Sequence, residues 1–402
     1  GPGGRAATRT TREVSALRLD HGTPGFLTSA PSARALCDEL CRIGALREAT
    51  HGYGTLHADG SWEEELSVPH NGKRYVGGER GLSGASEAML RGCEEAGDSD
   101  PLVDCRWGHV VREITPRLGG GWVLRGSAKE APDGFAIEVD WLVSSTATIA
   151  HSRWTGTFGG PPPLAKAAEV MLAMSRAAVS GLSSQVGQVE GKHSSTNSTA
   201  VSEGAFELHE AVTHVNKLNV QPISAALMAF QGDAARAWAA LPWSIARAED
   251  WGDVGRIHVT RIHNDLTTVA IHSTPAFATT VAAGVFGATS AAARVGGATT
   301  DESREAEILE RLCNAAMERL VGSKWIPSSA TTPSWGPHLH RWGAAFPRAP
   351  LLPERFTELE GACVSFCGDY ISSYRASSVE GAIISGLKAA EAMERRVGRS
   401  KM

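Results

Sequence analysis

The chain has 402 residues, enough for two domains, and with 42% hydrophobic and 21% charged residues it has the balance of a globular protein with a sizeable core. Its formal net charge of -5 and sequence pI of about 6.3 argue against a general nucleic-acid or anionic-membrane surface. No run of about eighteen apolar residues occurs, so nothing in it reads as a membrane-spanning helix.

The sequence opens on Gly1-Pro2-Gly3-Gly4-Arg5, without initiator Met, signal peptide or recognisable transit segment. Asp20-His21-Gly22 marks a turn before Phe26-Leu27-Thr28. Residues 32–48 place Ala35, Leu36, Leu40, Ile43 and Leu46 at helical spacing, with Ser32 as a cap, and predict one helix. Tyr75-Val76-Gly77-Gly78 and Gly81-Leu82-Ser83 then lead into a helix running to about Glu95. Stretches 104–114, 121–126 and 135–145 are β-like, with Gly119-Gly120-Gly121 as a turn and 140–145 as a buried strand returning to the main sheet.

Gly159-Gly160-Pro161-Pro162-Pro163 stops regular structure and marks a crossing between domains. An Ala-rich helix is expected over 164–179, and 180–199, rich in Ser, Gly, Gln and Asn, reads as an exposed insertion. Stretches 222–230, 255–263 and 267–274 predict strands of an antiparallel sheet, the last two joined tightly at Asn264-Asp265. An amphipathic helix follows over 301–321, with Ile308, Leu309, Leu312, Ala316 and Leu320 on one stripe. His193, His209 and His214 are too dispersed for a metal set, and no metal is expected. Seven cysteines, at 37, 41, 93, 105, 313, 363 and 367, are odd in number and lack Cys-x-x-Cys spacing, which points to a reducing compartment.

The C-terminal region carries the strongest pattern. An apolar β-run over 362–366 ends in Gly368-Asp369, and a helix opens near Ser378 with small residues at Gly381, Ala382, Ser385, Gly386, Ala389 and Ala390. Such a helix can approach a ligand closely, and its first turn offers N–H groups and the positive end of a dipole to an electron-rich ring edge. Gly368-Asp369, then Val379-Glu380-Gly381-Ala382 and Ser385-Gly386, resemble the C-terminal flavin-binding signature of the FAD-dependent amine oxidases. His340-Arg341-Trp342-Gly343-Ala344-Ala345-Phe346-Pro347 resembles the renalase-like branch of that family.

The resemblance implies an α/β, two-domain flavoprotein fold: a Rossmann-like FAD domain over 1–25, 75–160 and 345–402, and an antiparallel-sheet substrate domain over 26–74 and 161–344. It implies FAD as cofactor, with Gly3, Gly4 and Arg5 near the pyrophosphate, Asp369 (after Gly368) on a ribityl hydroxyl, and Val379, Glu380 and Gly381 facing the pyrimidine edge. His21 and Trp342 become substrate-side candidates, although a satisfied structural role for His21 is equally open.

The N-terminal strand-helix-strand of such a fold is missing, and no Gly-x-Gly-x-x-Gly turn for the ADP half occurs anywhere in the chain. Either that half lies upstream in a longer polypeptide, or FAD binding has been lost. Two functions therefore stand: FAD-dependent oxidation of a small amine or dihydronicotinamide-like substrate, or a catalytically silent subunit of a larger assembly, plastid or other organelle included. The partner is a small-molecule substrate in the first case and other proteins in the second.

Overall fold

The computed structural model describes residues 3–14, 16–66, 71–95, 103–117, 120–128, 130–183, 195–285 and 300–400. The chain divides into two compact units, the first formed by Gly1–Asp104 with Val220–Phe346 and the second by Cys105–Asn219 with Pro347–Met402. The crossings thus fall near residues 104, 219 and 346, and the Gly159–Pro163 stretch lies inside the second unit.

The first unit begins with a two-stranded ladder, β1 (Thr8–Arg9) and β2 (Leu19–Asp20). Then come β3 (Phe26–Thr28), α1 (Pro31–Arg42), β4 (Leu46–Glu48), β5 (Gly52–Leu56), β6 (Trp62–Glu64), β7 (Lys73–Gly77) and α2 (Ser83–Glu95). Residues 32–48 do not form the single helix expected. Pro31 starts α1, where its missing N–H costs nothing, and Ala30 rather than Ser32 is the N-cap. Gly44, at φ 75°, ends the turn after α1, and Leu46 passes into β4 against Gly77.

The second unit opens with β8 (His109–Pro116), β9 (Trp122–Ala128) and β10 (Ala131–Val139), which form an antiparallel meander, followed by β11 (Leu142–Ser144). The expected 135–145 strand is therefore two strands. Asp140 leaves the ladder to meet Arg117 at 2.5 Å, and Trp141 donates its indole N–H to Ser365 Oγ. Gly120 and Gly121, both at positive φ, make the β8–β9 turn; Gly119 lies outside the described residues.

Helices α3 (Arg153–Phe158), α4 (Pro163–Ser183) and α5 (Ser195–Asn216) complete this stretch. The stretch expected as an exposed insertion is helical at both its ends, and 184–194, with His193, lie outside the described residues. His209 and His214 sit on α5, where the His214 ring packs on Phe356. No group of metal-competent side chains occurs among the described residues.

Back in the first unit come β12 (Asn219–Gln231), α6 (Gly232–Ala239), β13 (Trp243–Ala248), β14 (Val254–His263), β15 (Leu266–Ser273), α7 (Pro275–Thr280), α8 (Glu302–Gly322) and β16 (Trp335–Arg348). They build a seven-stranded sheet of order β16-β12-β15-β14-β13-β5-β6. Asn264 and Asp265 close the β14–β15 hairpin, as expected, but the sheet is mixed, because β13 and β5 run parallel.

One face carries Ala226, Met228, Phe230, Ile257, Val259, Val269 and Ile271, which pack with Ile308, Leu312, Ala316 and Leu320 of α8. Period-two alternation sends Ala225, Leu227, Ala229 and Ala270 to the other face, where Leu17, Leu19 and Trp335 cover them. Asp301 caps α8 by accepting from the Arg304 N–H.

In the second unit the chain finishes with β17 (Glu358–Leu359), β18 (Val364–Phe366) and α9 (Val379–Ser400). β11 pairs in parallel with β18 inside a three-stranded sheet, β11-β18-β17, but it is not the buried strand expected, since Val143 is 44% exposed.

Leu312 is fully buried under the seven-stranded sheet, whereas Glu310 of the same helix is exposed. Leu312→Ala is expected to lower stability by about 2–5 kcal/mol in a urea titration, with Glu310→Ala near the wild type. Equal midpoints for the two variants would contradict the assigned core.

Candidate functional site

The residues singled out in the sequence gather into one cluster in each unit. In the first, the loop at Gly3–Arg5 docks onto the turn after β2. The Thr23 N–H donates to Arg5 O at 2.9 Å, and Arg5 Nη1 donates to Ala345 O on β16 at 2.6 Å. Gly22 is required there: a Cβ would stand 2.2 Å from Arg5 O and 3.0 Å from Trp342 Cζ2. Arg5, His21 and Trp342 are thereby brought together, with the His21 ring stacked on Trp342 at 5.1 Å and edge-on to His340 at 4.6 Å.

Sequence reading missed how far this cluster extends. His272 on β15 donates from Nε2 to His21 O at 3.0 Å, and its ring meets His258 of β14 at 4.2 Å. Both face away from the α8 core, since Ile257, Val259 and Ile271 point into it. The signal was present on β15, where His272 stands in phase with Ala270 and opposite the apolar Val269 and Ile271.

Burial depresses these groups. His21 is held down to about 4, by burial first and by Arg9 second. His272 is held down to about 3 by burial, with Arg256 adding to it, and His258 lies well below the ordinary value for the same reason, with His272 and Arg256 behind it. His21 Nδ1 and both ring nitrogens of His258 have no hydrogen-bond partner.

Asp20, one residue before His21, shifts the other way. Burial pushes its carboxyl up to about 6, against the lowering effects of Thr8 and Leu82. Its Oδ1 accepts from Thr8 Oγ1 at 2.5 Å and from the Leu82 N–H at 3.0 Å, while Ser83 and Thr8 exchange side-chain-to-backbone bonds. The carboxyl thus sits at the start of α2.

In the second unit, β18 runs into Gly368 at φ 133°, and the Gly368 N–H donates to Ser385 Oγ of α9 at 2.8 Å. Asp369 is buried and its carbonyl accepts from Ser377 N–H at 2.7 Å, which closes the 370–377 loop. Ser378 caps α9: its Oγ accepts from the Gly381 N–H at 3.0 Å. Gly381 is small because the loop backbone needs the room, since a Cβ would stand 2.0 Å from Tyr374 O. The Glu380 carboxylate is turned inward and paired with Arg375 at 2.8 Å. Of the first-turn groups picked from the sequence, the Gly381 amide and the Glu380 side chain are therefore used by the protein itself.

No protein-family model and no curated protein sequence matches the chain. Solved structures do. The fold resembles that of putrescine oxidase. A triple mutant of that enzyme gives a TM-score of 0.52 at 11% identity, over 98% of this chain and 91% of that one. A single mutant gives 0.51 at 11%, and the wild type bound to putrescine 0.50 at 12%, with the same coverages. The two-domain, mixed α/β flavoprotein-type fold expected from the sequence is the fold observed.

Two tests follow from this geometry. Gly381→Ala forces the 374–375 backbone to move and is expected to cost about 1–3 kcal/mol, whereas Gly386→Ala, which meets nothing within 4 Å, is expected to stabilise by about 0.5–1 kcal/mol, both read from urea midpoints. Reversed signs would mean that the loop does not lie on α9.

The buried histidines have folded pKa values below their unfolded ones, so their stabilising contribution is full above about 6.5 and is lost as pH falls toward about 4. Asp20 works oppositely, its contribution being present below about 4 and lost as pH rises through about 6. With three histidines against one carboxyl, net stability is expected to fall on acidification below 6.5. His258→Leu removes no hydrogen bond and is expected to flatten that fall without destabilising the neutral protein; an undiminished acid loss would clear His258.

Proposed function

We propose that the protein is an FAD-dependent oxidoreductase that removes hydride from a small amine or a dihydronicotinamide-like compound, within the renalase-like branch that residues 340–347 resemble. The observation that carries this reading is the C-terminal construction of the second unit. A strand paired in parallel with β11 delivers Gly368 and a buried Asp369, and the loop behind them is locked onto the capped start of α9.

The residues present fit a flavin. The donor set of a helix start beside an acidic turn suits a ribityl hydroxyl and an electron-rich ring edge. In the first unit, Gly4 holds a left-handed conformation with nothing within 4 Å of a would-be Cβ, so the loop backbone there is open to a ligand. When bound, FAD supplies the hydride acceptor.

In this reading Asp369 accepts from a ribityl hydroxyl, and the start of α9 at Val379, Glu380 and Gly381 faces the pyrimidine edge, where the positive end of the helix dipole favours negative charge. Ser378, Ser385 and the Arg375–Glu380 pair position those groups. Gly3, Gly4 and Arg5 serve the phosphate side. His21 and Trp342 serve the substrate side: burial keeps the imidazole neutral, so its unpartnered Nδ1 can accept or donate a hydrogen bond without adding charge, and the stacked indole excludes water.

The purified full-length protein is expected to be yellow, with bands near roughly 375 and 450 nm. Asp369→Ala is expected to lower the bound flavin per protein about tenfold with an unchanged far-ultraviolet circular dichroism spectrum. A colourless, folded wild type that takes up no added FAD would sink the proposal and favour the interaction subunit.

A further inference from the structure

We propose that the first unit holds a binding cleft, independent of any flavin, that recognises the carboxylate of a small molecule through Arg18 and Arg47. The cleft has a volume of about 510 Å³, within the range of metabolite sites, and is walled by β2, β4, β7, β13 and β14. Three guanidinium groups line it, those of Arg18, Arg47 and Arg261, and none forms an ion pair with a carboxylate among the described residues.

Arg261 is the fixed one. Its Nε donates to Ala239 O, its Nη1 to Ser244 Oγ, and its Nη2 to Leu241 O and Trp243 O, so carbonyls and a hydroxyl satisfy its donors while its charge stays uncompensated. Half-burial without a counter-ion lowers the Arg261 guanidinium to about 10, and the His51 imidazole on the same wall is depressed, by burial first and by the Arg261 charge second.

Arg18 and Arg47 are held by fewer bonds. Arg18 spends one Nη1 bond on its neighbour's carbonyl, Leu17 O, and Arg47 spends its Nε on Gly77 O. The remaining edges of both are left for a partner, and a guanidinium edge matches the two oxygens of a carboxylate.

Of the acids that share the walls, none is ion-paired with these guanidiniums, although Asp20 is close enough for the Arg47 charge to act on its carboxyl. Glu48 lies 4.0 Å from Lys73, Glu79 is exposed to solvent, and Asp20 is buried with Oδ1 committed to Thr8 and Leu82. An incoming carboxylate therefore meets, within one cleft, two guanidiniums with edges to offer and the fixed charge of Arg261.

The test is thermal unfolding of the full-length protein titrated with sodium succinate, against sodium chloride and inorganic phosphate at matched ionic strength. Flavin content is read by absorbance in the same samples. Succinate is expected to raise Tm saturably where chloride does not, with an apparent Kd weakened about tenfold or more in the Arg18→Gln, Arg47→Gln double variant. The exposed Arg47→Gln alone serves if the double variant does not fold.

Equal shifts from succinate and chloride, or shifts that survive the variants, overturn the cleft. Phosphate matching succinate overturns the carboxylate assignment. A succinate shift in colourless protein upholds the cleft while the flavin reading fails, and its absence in yellow protein does the reverse.

Discussion

Covering the second face of the seven-stranded sheet is the constraint on which the first unit depends. β15 is buried along its whole length and β12 along most of its own, so each must shed water on both sides. α8 covers one face with a plain apolar stripe. The other is covered by an irregular piece of chain around β2, whose backbone carbonyls need donors when they lie on a sheet. Thr268 and His272 provide them: the hydroxyl donates to Arg18 O and the imidazole to His21 O. The polar side chains in the middle of an apolar strand are therefore what allows a loop, rather than a helix, to close the core.

That arrangement sets the electrostatics at the end of β2. Asp20 and His21 are neighbours, both buried, and burial drives each toward its neutral form by moving their pKa values in opposite directions. Asp20 retains two donors from Thr8 and the start of α2, whereas His21 Nδ1 retains none. A neutral, buried imidazole with an unpartnered nitrogen, flanked by aromatic rings, is something the bare sequence Asp-His-Gly does not disclose.

Much of the architecture was legible. β-like runs and the tight Asn264-Asp265 connection located β12, β14 and β15, and the Leu312 stripe located α8 almost to the residue. The C-terminal turn and helix were read from Gly368, Asp369 and the small residues after Ser378. The failures came where a local signal competed with a tertiary one. Leu46 continues a helical stripe on paper, but Gly44 in the left-handed region ends the turn and hands it to β4. Likewise, nothing in the sequence says that Gly381 is small to admit the protein's own Tyr374 carbonyl, because a close approach to a ligand and a close approach to a loop demand the same missing methyl group.

The start of α2 carries one more implication. Exposed amides at a helix start are a common seat for a nucleotide's phosphate, but here the Leu82 and Ser83 N–H groups are already answered by Asp20 and Thr8. The molecule has installed its own resident anion where a visiting one would otherwise sit. A phosphorylated guest of this half of the protein must therefore dock elsewhere or displace a hydrogen-bonded carboxyl.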